Sequence, residues 1–381
     1  MKYINSEKVI IKSWCNNPAE GAIKQAKNLA NLPFIFKQVC LMPDTHEGYG
    51  MPIGGVIATD NVIIPNAVGV DIGCGMLAVQ TSLEDIDTET LKSIVSDIRE
   101  AVPVGFDHHK EKQDISFMPD KIDCPVNKLE WESAQYQVGT LGSGNHFIEI
   151  QKGDDGYIWY MVHSGSRNVG LKVATHYNNV ARELNDKWRS PVGKSVDLAF
   201  LPMDEEQAKL YITEMNWCLD FALRNRQLMS KNIAKAFKNH TSATFEPSIN
   251  IAHNYARLEN HFGKDVMVHR KGATSARDGE IGIIPGSQGT TSYIVRGKGN
   301  PESFQSCSHG AGRQLGRKQA KKKLVLDDEI AKLDGVIHSI YSVKDLDEAP
   351  GAYKNIDVVM EEQKDLVDIL IKLTPLAVIK G

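Results

Sequence analysis

Apolar and polar positions along this chain follow two rhythms, short apolar runs broken by glycine and longer stretches with helical spacing. Lys8 to Trp14 reads as a short strand and Pro18 to Leu29 as a helix. From Leu41 to Gly75, glycine-rich turns alternate with short apolar runs such as Val62 to Pro65, as in strands that carry a site on their loops. Leu83 to Val102 has acidic residues early and apolar residues at helical spacing, which predicts an amphipathic helix. A polar stretch from Phe106 to Lys128 reads as an irregular excursion or mobile lid, and residues 136–175 return to glycine-punctuated strands. Asp204 to Lys238 is the strongest helical pattern, with Asp204 as its N-cap. Its apolar residues Leu210, Met215, Trp217, Leu219, Phe221 and Leu223 fall on several faces, which predicts a largely buried helix. Strand-and-loop character resumes from Ser248 to Val295, followed by a basic helix from Gly312 to Leu326 and a helical tail from Val358 to Lys372. There is no repeat, low-complexity run or clear linker, so residues 1–381 are expected to form one domain closing around one site.

Composition narrows the class. With 41% hydrophobic and 24% charged residues among 381, the chain reads as a globular protein. No run approaches 18 apolar residues, and the opening MKYINSEKVIIKSW lacks the features of a secretory signal, so a cytoplasmic location without a membrane partner is expected. Six cysteines are scattered without a CxxC pair, which argues against a disulfide framework or zinc ribbon. A net charge of −4 announces no global attraction to nucleic acid and leaves that role to local patches.

The glycine clusters hold the chemistry. MPDTHEGYGMPIGG contributes Asp44 and His46, VGVDIGCGM contributes Asp71 and Cys74, and LGSGNHFIEI contributes Asn145, His146 and Glu149. VHSGSRNVG adds His163 and Arg167, NIAHNYA adds His253 and Asn254, VMVHRKGAT adds His269, Arg270 and Lys271, and CSHGAGR adds His309 and Arg313. One histidine so placed is usually a satisfied core residue. Six in similar strings, beside an Asp and a Cys in a D-x-x-C array, point to a metal site. Imidazole and thiolate suit zinc, while Asp with His also suits manganese or iron. Because a thiolate can bridge two cations, Asp71, Cys74 and three histidines could hold a dinuclear centre of the kind used in phosphoryl and nucleotidyl transfer.

Two weaker signals accompany it. IIPGSQGTTSY, with Gly286, Ser287, Gly289 and Ser292, can offer backbone N–H groups and hydroxyls to an anion, although an ordinary tight turn explains it equally well. His309 can be a covalent nucleophile toward phosphorus, and a metal ligand or general acid is as credible from the residues alone. After it, Arg313, Arg317 and Lys321 share one face of the expected helix, with Lys318, Lys322 and Lys323 beside them. That face is either a solvated charged surface or a contact for backbone phosphates.

In this order, VGVDIGCGM, LGSGNHF, HSGSR, HRKGAT, PGSQG and SHGAGR closely resemble the RtcB family of RNA ligases, from residue 42 to the terminal VIKG. The resemblance implies a mixed α/β (α+β) domain with a β-sandwich-like core and flanking helices. It also implies GTP- and manganese-dependent joining of RNA ending in a 3′-phosphate or 2′,3′-cyclic phosphate to RNA beginning with a 5′-hydroxyl. RNA repair is favoured over a dedicated tRNA-splicing role, and an archease-like activator is a further potential partner. By residue match, Cys74 bridges two manganese ions, one also bound by Asp71 and His146, the other by His163 and His253. His309 attacks the α-phosphorus of GTP and becomes His–GMP, GMP passes to the RNA 3′-phosphate, and the 5′-hydroxyl displaces it. The implied nucleotide pocket comprises Asn145, His146, Glu149, His253, Asn254, Pro285, Gly286, Ser287, Gln288, Ser292, Gly310, Ala311, Gly312 and Lys380, with Tyr353 stacking on guanine. Arg167 is implied to contact the RNA phosphate. Gln288, where the family usually has Met, and Asn168, where it usually has Gly, mark a divergent branch. The residues alone also admit a metallophosphoesterase or phosphodiesterase acting on RNA ends, or a non-catalytic RNA-binding protein.

Overall fold

A computed structural model describes all residues from Met1 to Gly381. The first half contains strands β1 (Lys2–Ile4), β2 (Ile10–Ser13), β3 (Ile35–His46), β4 (Ile53–Thr59), β5 (Val62–Ile63), β6 (Gly75–Gln80), β7 (Phe147–Gly153) and β8 (Ile158–Ser164). Then follow β9 (Leu201–Pro202), β10 (Ile249–Ala252), β11 (Asn254–His261), β12 (Lys264–Lys271), β13 (Ala273–Ser275), β14 (Ile281–Ile284), β15 (Ser292–Gly297), β16 (Ser306–Ser308) and β17 (Val367–Lys380). The helices are α1 (Glu20–Ala30), α2 (Pro65–Val68), α3 (Thr88–Ala101), α4 (Asn127–Gln137), α5 (Arg167–Lys187), α6 (Glu206–His240), α7 (Arg317–Lys323), α8 (Leu326–Ala331) and α9 (Ile356–Glu362). The mixed α/β class expected from the sequence holds.

Two sheets form the frame. The six-stranded sheet runs β1-β2-β3-β4-β12-β11 and the seven-stranded sheet runs β10-β6-β8-β7-β17-β15-β14. Only the β2–β3 pair is parallel. In the larger sheet the edge strands β10 and β14 touch, so it curls almost into a barrel around Met76, Ala78, Met161, Ile283, Ile294 and Leu373. The alternate residues, Leu77, Val79, Ile148, Ile150 and Val162, face outward and are covered by Ile94 and Ile98 of α3 and by Met229, Ile233 and Phe237 of α6. That two-sided burial is why these strands read as continuous apolar runs rather than as a clean alternation. The two sheets meet in one cluster, where Cys40, Met42, Val56 and Val268 pack with Ile284, Tyr293, Val295 and Val367.

Four expectations change. The tail is not one helix: α9 stops at Glu362, and β17 takes an interior place in the large sheet between β7 and β15. Its Val367, Ile369, Ile371, Thr374, Val378 and Ile379 are β-branched, and Pro375 sits at the irregularity in register with β7, where a missing N–H is tolerated. The basic helix begins at Arg317 rather than Gly312. Gly312 has φ 72°, its α-carbon packs against the Asp44 carbonyl, and Arg313 bridges in strand fashion to Tyr353, so helical winding cannot start there. The long helix is capped at Glu205, with no side-chain hydrogen bond, instead of at Asp204. Within residues 136–175, α4 reaches Gln137 and α5 opens at Arg167, so the strands occupy only the middle. The excursion at 106–128 is irregular apart from one turn at Ile115–Phe117 and the start of α4 at Asn127, and it is fastened to its surroundings by His109 N–H to the Tyr136 carbonyl and by Trp217 Nε1–H to the Asp120 carbonyl.

Candidate active site

Topology gathers the polar residues at one rim of the curled sheet. Cys74 immediately precedes β6, His146 immediately precedes β7, and His163 lies near the end of β8, where it pairs with Met76 and Phe147. His253 is the single residue between β10, in the large sheet, and β11, in the small one. Antiparallel order therefore brings four ligand-type side chains from distant sequence to one end. Backbone bonds fix the loops: the Cys74 N–H reaches the Asp71 carbonyl at 3.1 Å and the His253 N–H reaches the Cys74 carbonyl at 2.8 Å.

Cys74 is the shared centre of two groups, Asp71–Cys74–His146 and Cys74–His163–His253. Its sulfur lies 3.5 Å from His146 Nε2 and 3.3 Å from His163 Nε2. His163 Nε2 is 3.3 Å from His253 Nε2, and His146 Nε2 is 3.0 Å from Asp71 Oδ2. His146 and His163 donate from Nδ1 to the Leu141 and Asn145 carbonyls, at 2.9 and 3.0 Å, which turns both Nε2 lone pairs inward. Burial drives His163 and His253 well below the ordinary imidazole range, so both are neutral. His253 Nδ1 is buried without a partner, so no protein group fixes that ring's tautomer, and the two Nε2 atoms 3.3 Å apart are placed to share a cation. Tetrahedral bonds of about 2.0–2.1 Å would separate two such nitrogens by roughly 3.4 Å. Burial and the adjacent Asp71 carboxylate push the Cys74 thiol well above its usual value, and a bound cation reverses that preference. The residues present fit a pair of transition-metal ions.

His309 arrives from the other side. It follows β16, whose pairing with β13 forms a short ribbon, and its ring centroid is 4.7 Å from that of His253. Its Nδ1 donates to Asp44 Oδ2 at 2.6 Å, and its backbone N–H donates to the same oxygen at 3.1 Å. Asp44 is wholly buried; burial raises its carboxyl, but His309 overcomes this and holds it below the ordinary range. Nδ1 being committed, Nε2 is the ring nitrogen left with the free electron pair.

Beyond His309 lies a polar shelf. The Ala311 N–H bonds the Pro285 carbonyl at 3.0 Å, and the Gly286 N–H bonds Ser292 Oγ at 3.1 Å, tying the Pro285–Gln288 turn to the histidine loop. Gln288 donates to the Glu348 carbonyl, and the Glu348 carboxylate receives Lys380 Nζ at 2.8 Å, Tyr353 Oη at 2.5 Å and Arg313 Nη1 at 3.1 Å. The Arg313 guanidinium lies over the Tyr353 ring at 5.1 Å, and the ring also packs against the core cluster shared by the two sheets. Glu149 lies across the β7–β17 ladder from Val378, and burial raises its carboxyl to about 8, opposed by Gln151 and Lys380. Asn254 spends both ends of its amide on backbone, Asp71 O and Gly272 N–H, and so braces the ligand loop. Asn145 is exposed at the rim. Arg167, with φ 58°, bonds Thr140 Oγ1 and the Gly105 carbonyl.

The family model described as tRNA-splicing ligase RtcB matches residues 25–128 and 120–381. The RNA-splicing ligase RtcB of Escherichia coli K12 is 40% identical over 406 aligned residues, covering 99% of each chain. This chain belongs to the RtcB family. The tRNA-splicing ligase RtcB of Nanoarchaeum equitans is 35% identical over 94% of this chain and 91% of its own. RNA-splicing ligase RtcB homolog 1 of Entamoeba dispar is 32% identical over 98% and 84%.

In this RtcB-family site, one residue was singled out by the sequence without a role and another was not singled out at all. Asp44 was visible only as one polar residue in a glycine string; its bond to His309 spans 265 positions and has no local signal. Arg226 is hidden in the middle of α6, where it reads as one more helical cation. In the fold it is 1% exposed and bonds the Gly73 and Ser164 carbonyls at 3.0 and 2.8 Å, next to Cys74 and His163. A buried cation with such partners holds two ligand loops together and offsets the charge of Asp71 and Cys74.

Proposed function

We infer that this RtcB-family chain is an RNA ligase that joins RNA 3′-phosphate or 2′,3′-cyclic phosphate ends to 5′-hydroxyl ends, using GTP and two manganese ions. The observation that carries the reading is the free Nε2 of His309, oriented by Asp44, beside a cluster whose donor set fits two ions sharing Cys74. Manganese held by Asp71, Cys74, His146, His163 and His253 would neutralise phosphate oxygens.

The residues supply the remaining chemistry. His309 Nε2 attacks the α-phosphorus of GTP, a P–N bond forms, and pyrophosphate leaves with the electrons of the broken P–O bond. Asp44 stabilises the ring as it becomes positive. An oxygen of the RNA 3′-phosphate then attacks the same phosphorus, the P–N bond breaks, and the ring recovers its electron pair. The RNA 5′-hydroxyl finally attacks the RNA 3′-phosphorus, loses its proton and displaces GMP. A cyclic phosphate enters this sequence after water has opened it. Glu149, Lys380 and Tyr353 would receive guanine. Asn145, Ser287, Gln288 and the Gly310–Gly312 backbone would line the remainder, with Pro285, Gly286, Ser292 and Asn254 shaping it. Arg167 would hold the RNA phosphate. RNA repair in the cytoplasm is the favoured setting, with an archease-like activator as a candidate partner.

Incubating the protein with GTP, manganese and RNA strands bearing 3′-phosphate and 5′-hydroxyl ends tests the reading. Joined product is expected from the parent and none from Cys74→Ala, because a methyl group cannot bridge two cations. Undiminished joining by the alanine variant would sink the shared-thiolate assignment. Loss of terminal phosphate without joining would indicate a phosphoesterase.

A further inference from the structure

Phe106 is the most exposed large apolar residue of the chain, at 92%. A lone exposed aromatic ordinarily needs no account. Its position is what sets it apart. The preceding residue, Gly105, accepts Arg167 Nη2 at 3.2 Å through its carbonyl and donates its N–H to the Gly142 carbonyl at 2.8 Å. Gly142 in turn lies against both Arg167 and His146: a Cβ there would fall 2.7 Å from His146 Nδ1. On the other side the chain's last residue closes in, since a Cβ on Gly381 would lie 2.5 Å from the Gly105 nitrogen, one residue beyond Lys380. An uncovered phenyl ring is thus carried on backbone that is tied to Arg167 and, through Gly142, to the loop that bears His146.

We propose that Phe106 is a stacking platform for the terminal base of the RNA strand whose 3′-phosphate is held at Arg167. This rests on the ligase reading and extends it from the reacting phosphate to the nucleotide behind it. The chemistry requires a single-stranded end, because a phosphate must reach His309 while its nucleotide is free of a duplex. Single strands are bound by cationic groups on the backbone together with aromatic faces on the bases, without demanding a particular sequence. Arg167 supplies the first and Phe106 the second. A water-exposed phenyl ring also gains from being covered by a base, which an apolar core residue would not.

The test separates RNA binding from guanylylation. Phe106→Ala and Phe106→Leu are both expected to raise the KM for a 3′-phosphorylated oligonucleotide about ten-fold. Guanylylation of His309 by GTP and manganese alone should stay at the parent rate, since no RNA takes part. Phe106→Trp is expected to join RNA like the parent, with its fluorescence quenched by a 3′-phosphorylated oligonucleotide. An unchanged KM in the alanine variant, a leucine variant indistinguishable from the parent, or tryptophan fluorescence indifferent to RNA would each overturn the proposal. Absence of a guanylylated parent would contradict the ligase reading instead.

Discussion

His309 has two ring nitrogens, and what each can do is decided by a residue far away in sequence. Asp44 accepts the Nδ1–H at 2.6 Å and leaves the Nε2 pair free. The arrangement is possible because β3 departs from regular pairing with β4 between Leu41 and His46, so the Asp44 side chain can turn toward β16. Asp44→Asn preserves the shape but can no longer both enforce the tautomer and balance a cationic ring. Guanylylation is expected to slow on the order of 10²- to 10⁴-fold, measured as the rate of adduct formation at saturating GTP. A loss below about three-fold would return Asp44 to a structural role. The pH dependence has a definite sign. Because His309 lowers the Asp44 carboxyl below its ordinary value near 3.8, the pairing contributes stability that is complete above that value. That stability is lost only as pH falls through the depressed folded value, so the Asp44→Asn substitution should change stability at neutral pH and little in strong acid.

Among the elements, α7 shows how far a sequence pattern can mislead and still mark something useful. Arg313, Arg317 and Lys321 looked like one cationic stripe. In the fold Arg313 lies outside the helix, and Arg317 and Lys321 are occupied by Asp347, with Arg317 also on Glu348. Half of the expected phosphate face is therefore neutralised within the molecule. Lys318, Lys322 and Lys323 remain exposed without an ion-pair partner, and Arg317 places the helix beside Gly144 in the loop leading to His146. If these three lysines meet RNA phosphates, changing all three to alanine should flatten the dependence of log Kd on log salt by about two, measured with single-stranded RNA. An unchanged slope would reassign the face to solvation. The strand β17 makes the opposite point. Its apolar spacing suited a helix, but β-branched residues, Pro375 and two waiting strand edges outweigh spacing, which only tertiary context reveals.

At the scale of the molecule, the sequence disclosed the chemistry better than the architecture. Asp71, Cys74, His146, His163 and His253 stood out because glycine and apolar neighbours are poor company for polar groups without a task. Their grouping around one sulfur follows from antiparallel order in a curled sheet, which no local pattern contains. The crossing of the chain from β10 to β11 at His253 explains why two sheets serve one site: the large sheet carries the ligand cluster and the small sheet carries Asp44. No helix is long and apolar enough to cross a membrane. Incubating the protein with manganese and GTP labelled at the α-phosphate reads out whether this frame presents His309 as a nucleophile to GTP. An acid-labile protein–GMP adduct is expected, absent from His309→Ala. No adduct in the parent, or an equal adduct in the alanine variant, would contradict that role.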